Sequence, residues 1–199
     1  MSDYQTLPAL IASRICHDLI SPIGAVDNGL ELIAMTMRLS GPEMGLIRQS
    51  TNAALTRIEL FRLAFGAGGA APCPMGRLNN TLAAHLAERR INLTLEIEAA
   101  TMDAAKKISL ALLCAETCLP RGGTVTVSAS ATHGQFHLQA DGPLRSDIDA
   151  LWHHVLSPES ADPPPRAADV HFLLLGLSLA AAGITPTLTM QDGGIQLTF

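Results

Sequence analysis

The sequence predicts an α+β protein in two parts, an N-terminal antiparallel helical hairpin followed by an α/β sandwich. Three observations predict it. Residues 7–66 carry apolar side chains at helical spacing, broken once at Ser40-Gly41-Pro42. From about residue 76 helical patterns alternate with period-two patterns. Between them lies Gly66-Ala-Gly-Gly-Ala-Ala-Pro-Cys-Pro, poor in side chains that pack and rich in backbone freedom. The boundary belongs there, with one domain over residues 1–67 and a second over residues 76–199.

On the first helix Ile15, Leu19, Val26, Leu30, Ile33 and Met37 fall on one stripe. Gly41 can end that helix and Pro42 can start the next. On the second helix Ile47, Thr51, Ala54, Ile58, Phe61 and Phe65 recur at steps of four and three. Both are seven-residue seams, which suit helices crossing at small angles. Two helices cover only part of such stripes, so the hairpin is expected to pair with a second copy as a homodimeric four-helix bundle.

In the second part a helix is expected over 77–88. A half-buried strand over 91–98 follows, with Ile91, Leu93, Leu95 and Ile97 facing one way and Asn92, Thr94, Glu96 and Glu98 the other. A helix over 104–119 leads through Arg121-Gly-Gly into strand 124–131, and Thr132-His-Gly turns that into strand 135–140. Helices over 146–156 and 168–182 flank the loop 157–166, and a hairpin of 187–190 with 195–199 closes around Asp192-Gly-Gly. Such a domain is a sheet with helices on one face.

Composition narrows the function. With 48% hydrophobic and 16% charged residues and a mean hydropathy of +0.27, a chain of 199 residues buries a substantial core. A net charge of −5 and 4% aromatics argue against nucleic acid, which needs basic excess and stacking platforms. Cys16, Cys73, Cys114 and Cys118 form no CxxC pair and follow no secretory signal, so a reducing cytoplasm is expected. Cys114 and Cys118 share a helix face and read as small buried hydrophobes. The apolar run 170–184 falls short of the roughly 20 residues of a membrane span and reads as a buried helix.

The chemistry concentrates at Cys16-His17-Asp18-Leu19-Ile20-Ser21-Pro22-Ile23. In a helix His17 lies opposite the apolar stripe, among Leu10, Ser13, Arg14, Ile20, Ser21, Gly24 and Asn28. These are mostly small or polar and leave room for another molecule. A solvent-facing imidazole can act as a nucleophile near neutral pH. Asp18 could fix its tautomer or accept a proton, and Arg14, one turn earlier, could neutralise a phosphoryl group. Pro22 removes a backbone hydrogen bond and kinks the helix near His17. Elsewhere, His153 and His154 diverge by about 100° on a helix and His133 and His137 stand about 13 Å apart on a strand, so neither pair holds a metal. Asp141 reads as a turn former.

His17-Asp18-Leu19 followed by Pro22-Ile23, in the first helix of a hairpin, resembles the phospho-accepting box of two-component histidine kinases. The longer run from His17 to Leu32 is similar to alphaproteobacterial histidine phosphotransferases of the ChpT type. The element order after the hairpin resembles the kinases' ATP-binding domain in degenerate form. Cys114 stands where that family has its metal-binding asparagine, Asp141-Gly142-Pro143-Leu144 lacks the second glycine of DxGxG, and bulky side chains precede Gly176-Leu177-Ser178-Leu179. Backbone N–H groups approach phosphates poorly past such side chains.

The resemblance implies a cytoplasmic, homodimeric phosphotransferase that passes a phosphoryl group between receiver-domain aspartates through His17, with Asp18 beside it. Its expected partners are the receiver domain of a hybrid histidine kinase and a response regulator, docking on Leu10, Ser13, Arg14, Ile20, Ser21, Gly24 and Asn28. It implies no metal or nucleotide of the chain's own, with Mg2+ on the receiver, and neither nucleic acid nor membrane as a partner. The sandwich would grip the receiver or support the dimer. Two rivals remain: a non-catalytic dimeric adaptor that occupies a response regulator, and an ATP-dependent histidine kinase with an atypical site.

Overall fold

The structure, a computed structural model, describes residues 14–15, 18–19, 21–26, 28–29, 32, 42–66, 68–129, 135–191 and 193–199. The described residues between 14 and 32 are helical. The break at Ser40-Gly41, the turn at residues 132–134 and Asp192 lie outside the described residues.

Helix α1 (Pro42–Phe65) begins on the proline that the sequence marks as a helix start. Then come α2 (Met75–Ala87), strand β1 (Ile91–Glu96), α3 (Met102–Cys118), β2 (Gly123–Ala129), β3 (Phe136–Asp141) and α4 (Ile148–Leu156). Two short 3-10 turns, Pro158–Ser160 and Ala167–Asp169, precede α5 (Val170–Ala181), and the hairpin of β4 (Thr187–Gln191) and β5 (Gly194–Thr198) closes the fold. Every element expected after residue 76 is present, with ends shifted by one or two residues, the range over which helix and strand termini fray.

The five strands form one sheet in the order β1-β2-β3-β5-β4. β1 and β2 are parallel because the whole of α3 crosses between them, and the other pairs are antiparallel. Period two sorts the side chains: Val125, Val127, Phe136, Leu138, Ala140, Ile195 and Leu197 are buried under the helices. The opposite face is polar, with Thr126, Ser128, His137, Gln139, Gln196 and Thr198 lining an open concavity.

Helix α3 is the centre of the core, with 11 of its 17 residues buried, Ile108, Leu110, Ala111, Cys114 and Ala115 among them. A helix that is apolar all round belongs inside. Its start is capped by Thr101, whose Oγ1 accepts from the Ala104 N–H at 3.1 Å. Trp152 of α4 and Phe172 of α5 meet edge to face, ring centroids 5.3 Å apart.

The stretch 66–74 is not a loose tether. Cys73 N–H donates to Ala100 O at 2.8 Å, Met102 N–H to Ala71 O at 2.8 Å and Asp103 N–H to Gly69 O at 3.0 Å. Lys106 Nζ donates to Gly66 O at 2.9 Å. The core also runs across the stretch, for Leu60, Leu63 and Ala64 of α1 join the same cluster as α3. The side of α1 that packs on the sandwich is thus Leu60, Leu63 and Ala64 with Phe65 of the expected seam, whereas Thr51 and Ile58 of that seam are exposed. The last turns of α1 are apolar on more than one side: Phe65 of the seam packs against the same core and Phe61 beside it is buried, so only the earlier part of the seam keeps exposed positions.

Gly176 has a packing role. A Cβ there would stand 2.6 Å from His154 O and 2.8 Å from Val155 O, because α4 and α5 touch at this residue. Gly176→Ala is expected to destabilise the fold by about 1–3 kcal/mol through overpacking, read as a lower urea midpoint with an unchanged slope.

Candidate functional site at the joint of helix and sandwich

His17, Leu10, Ser13 and Ile20 lie outside the described residues; Arg14, Asp18, Ser21, Gly24 and Asn28 lie within them. Ser21, Gly24 and Asn28 are exposed, as the sequence argument expects of the face they share. The expected core stripe is only half-buried at Ile15, Leu19 and Val26, and the most buried described positions are instead Asp18, Pro22 and Gly29.

Polar contacts hold the buried side of this helix. One guanidinium nitrogen of Arg14 pairs with Asp18 Oδ2 at 2.7 Å, an i,i+4 ion pair, and the other donates to the Ala168 carbonyl of the sandwich at 2.8 Å. From α1, Arg57 Nη1 donates to the Asp18 carbonyl at 3.2 Å, and its Nη2 meets Glu88 at 3.2 Å. Arg14 was expected on an open surface; its side chain is 13% exposed and tied on both sides. The Asp18 carboxylate pairs with Arg14, and the His17 ring it was expected to serve lies outside the described residues.

Facing Arg14 is a cleft of about 460 Å³ whose walls include Glu88, Arg89, Arg90, Glu116, Arg145, Arg166 and Asp169. Burial pushes the Glu116 carboxyl up, but its 2.7 Å hydrogen bond with His85 Nε2 and the charges of His85, Arg89 and Arg14 outweigh that and hold it below the usual carboxylate range. Arg166 holds Asp169 at 2.7 Å, an arrangement that leaves the carboxylate almost fully buried. Behind this wall the His171 ring, 1% exposed, meets the Thr117 hydroxyl at 3.0 Å. Burial, with a smaller contribution from the Arg14 charge, pushes its pKa down to about 3.

These wall residues were missed in the sequence. One signal was available: Glu116 is the one charged residue in the second half of α3, and a charge there demands partners.

The positions resembling kinase nucleotide motifs sit in three different environments. Cys114 is fully buried, and burial pushes its thiol well above the usual value. Burial likewise pushes Cys118 up to about 12. Asp141 ends β3 at the surface, where Gln139 Nε2 donates to it at 2.6 Å, and Gly176 is closed off by α4. His137 Nδ1 is 2.9 Å from Thr198 Oγ1, His153 is exposed, and His133 lies outside the described residues. Among the described residues no cluster of His, Cys, Asp or Glu could hold a metal ion, and no helix is long and apolar enough to cross a membrane.

Residues 75–194 match the family described as histidine phosphotransferase C-terminal domain. The chain belongs to the histidine phosphotransferase family. This phosphotransferase is 35% identical over 145 residues to the protein phosphotransferase ChpT of Brucella abortus (strain 2308), covering 69% of this chain and 68% of that protein. It is also similar to a solved bacterial phosphotransferase, with a TM-score of 0.80 at 28% identity over 100% of this chain and 97% of the other.

Two outcomes are expected. Breaking the nearly buried Arg14 to Asp18 pair with Arg14→Ala should destabilise the fold by about 3 kcal/mol in chemical denaturation, and Arg14→Ala with Asp18→Asn together should cost less than the sum of the two. The second concerns pH. His171 stays neutral in the fold down to about 3, while the unfolded chain takes up that proton near 6.5, so stability falls as pH drops through this window. Half-buried His154, lowered by burial and by His153, adds a contribution of the same sign. Melting temperature should therefore decline from pH 7 to pH 5, and His171→Asn should flatten that decline.

Proposed function

We propose that the phosphotransferase relays a phosphoryl group between receiver-domain aspartates through His17. The observation that carries this reading is the family match, joined to the sequence box His17-Asp18-Leu19 with Pro22. The imidazole nitrogen attacks the phosphorus of an aspartyl phosphate, the P–O bond to the carboxylate breaks as the P–N bond forms, and the return step reverses this on a second receiver. Such a transfer passes through a loose transition state and needs chiefly alignment and charge neutralisation. Mg2+ on the receiver supplies much of the latter.

The donor and acceptor in this reading are the receiver of a hybrid histidine kinase and a response regulator, docking in turn on the face of Ser21, Gly24 and Asn28. These exposed small residues let a partner come close, and Ile23, 57% exposed beside them, gives it an apolar contact. Such docking is transient and modest in area. The burial of Cys114 and the closure of Gly176 support a chain that takes its phosphoryl group from a protein rather than from ATP.

The same reading makes the active species a cytoplasmic homodimer, with the hairpin of residues 1–67 forming a four-helix bundle and the sandwich of residues 76–199 attached. Leu46, Leu55 and Ile58 of α1 are 40%, 55% and 41% exposed, and Leu32 of the leading helix is 44% exposed. Apolar side chains left open on helices support a second copy as their cover.

In a relay reconstituted with a kinase and a phosphorylated receiver, His17→Gln is expected to lose all acid-labile label with its circular dichroism unchanged; persistent label on that variant contradicts the assignment. Leu55→Asp with Ile58→Asp should turn a sedimenting dimer into a monomer at micromolar concentration, and a wild-type monomer there would refute the bundle.

A further inference from the structure

We propose that the cleft at the joint between the leading helix and the sandwich binds a small molecule carrying two or more linked phosphates. Five of the chain's eleven arginines line it, Arg14, Arg89, Arg90, Arg145 and Arg166, against the three carboxylates Glu88, Glu116 and Asp169. Among the lining residues cations outnumber carboxylates by two, with Asp18 and Asp147 pairing to Arg14 and Arg145 from outside the lining, in a chain whose net charge is −5. Concentrating cations in a concave, partly desolvated site focuses the field on an anion.

The three carboxylates are already engaged within the wall. Glu116 is held by His85 and Arg89, Asp169 by Arg166, and Glu88 by Arg57. The guanidinium groups are not used up. Each carries five N–H donors, and Arg89 spends Nε on Glu116 while Arg145 spends Nε and one Nη on Asp147. The Arg90 side chain makes no hydrogen bond or ion pair among the described residues. Guanidinium forks match phosphate oxygens in pairs, and several around one cavity suit linked phosphates better than a single carboxylate.

Arg90 is also the one non-glycine residue with positive φ among the described residues, at 59°. A side chain with a Cβ takes this conformation at a cost, and such strain collects where a group must be aimed. The volume of about 460 Å³ falls within the range of small-molecule sites, and the exposed Pro120 and Ala168 give the cleft an apolar wall suited to a ring. Cys114, Asp141 and Gly176, the positions that resemble kinase nucleotide motifs, do not line it. Arg14 reaches the cleft from the leading helix, three residues before His17, so occupancy would bear on how that helix is held. That consequence rests on the proposed function; the binding does not.

The test is calorimetric titration of the full chain at low salt with pyrophosphate and, separately, with ADP, with no kinase or receiver present. One saturable site per chain is expected for both. Tighter ADP binding assigns a role to the Pro120 and Ala168 wall, and equal affinities assign recognition to the phosphates alone; either result sustains the proposal. Arg90→Gly should weaken both ligands tenfold or more with an undiminished melting temperature, since glycine accepts positive φ. Arg145→Ala should weaken them similarly. No saturable heat with either probe at millimolar concentration, or affinities unchanged in both variants, overturns it. The relay assay on His17 reads independently, so failure of one leaves the other standing.

Discussion

Helix α3 has the sheet against one side and α1 and α5 against others, so 11 of its 17 residues are out of water and every element around it takes position from that burial. Each large aliphatic side chain moved inside contributes roughly 1.5–3 kcal/mol, which makes this helix the main source of stability in the sandwich. The same burial decides the chemistry. Position 114 carries a cysteine in the dry core, and burial holds its thiol protonated. The sandwich is then organised for packing, and the proposal that phosphoryl groups arrive from another protein follows from that.

The polar end of α3 makes the second link. Glu116 and Thr117 emerge at its last turn, and each acquires a histidine: His85 from α2 and His171 from α5. Arg14 reaches the same place from the leading helix and binds both Asp18 and the Ala168 carbonyl. The leading helix, which carries His17 in the proposed relay, is thereby tied to the sandwich by ion pairs and hydrogen bonds. Such contacts have direction and hold an orientation, and they can also be competed for by an anion.

Much of the fold was legible in the sequence because its periods are clean. Ile91, Leu93 and Leu95 alternate along a strand, the run around Leu110 to Ala115 is apolar on all sides, and Gly122, with φ of +87°, permits the turn between α3 and β2. The ties made by the 66–74 stretch were not legible, for a physical reason. Its glycines and prolines carry no side chains that announce partners, yet their backbone groups bind residues 100–103 and the end of α3's first turn. In the leading helix the burial of Asp18 escaped a reading by hydrophobicity. A hydrophobicity stripe ranks Leu19 above Asp18, whereas a paired carboxylate is as buryable as its partner allows, and Arg14 supplies that partner. The charged cleft drew on five separated stretches of chain, and no local pattern announces such a convergence.

Radioactive ATP labelling in two arms tests the central claim most directly, with the purified chain alone and with an active kinase and its phosphorylated receiver. Label on the chain at His17 only in the second arm is the result this account predicts. Label on the chain alone would contradict it, because the buried Cys114 and close-packed Gly176 would then belong to a working nucleotide site.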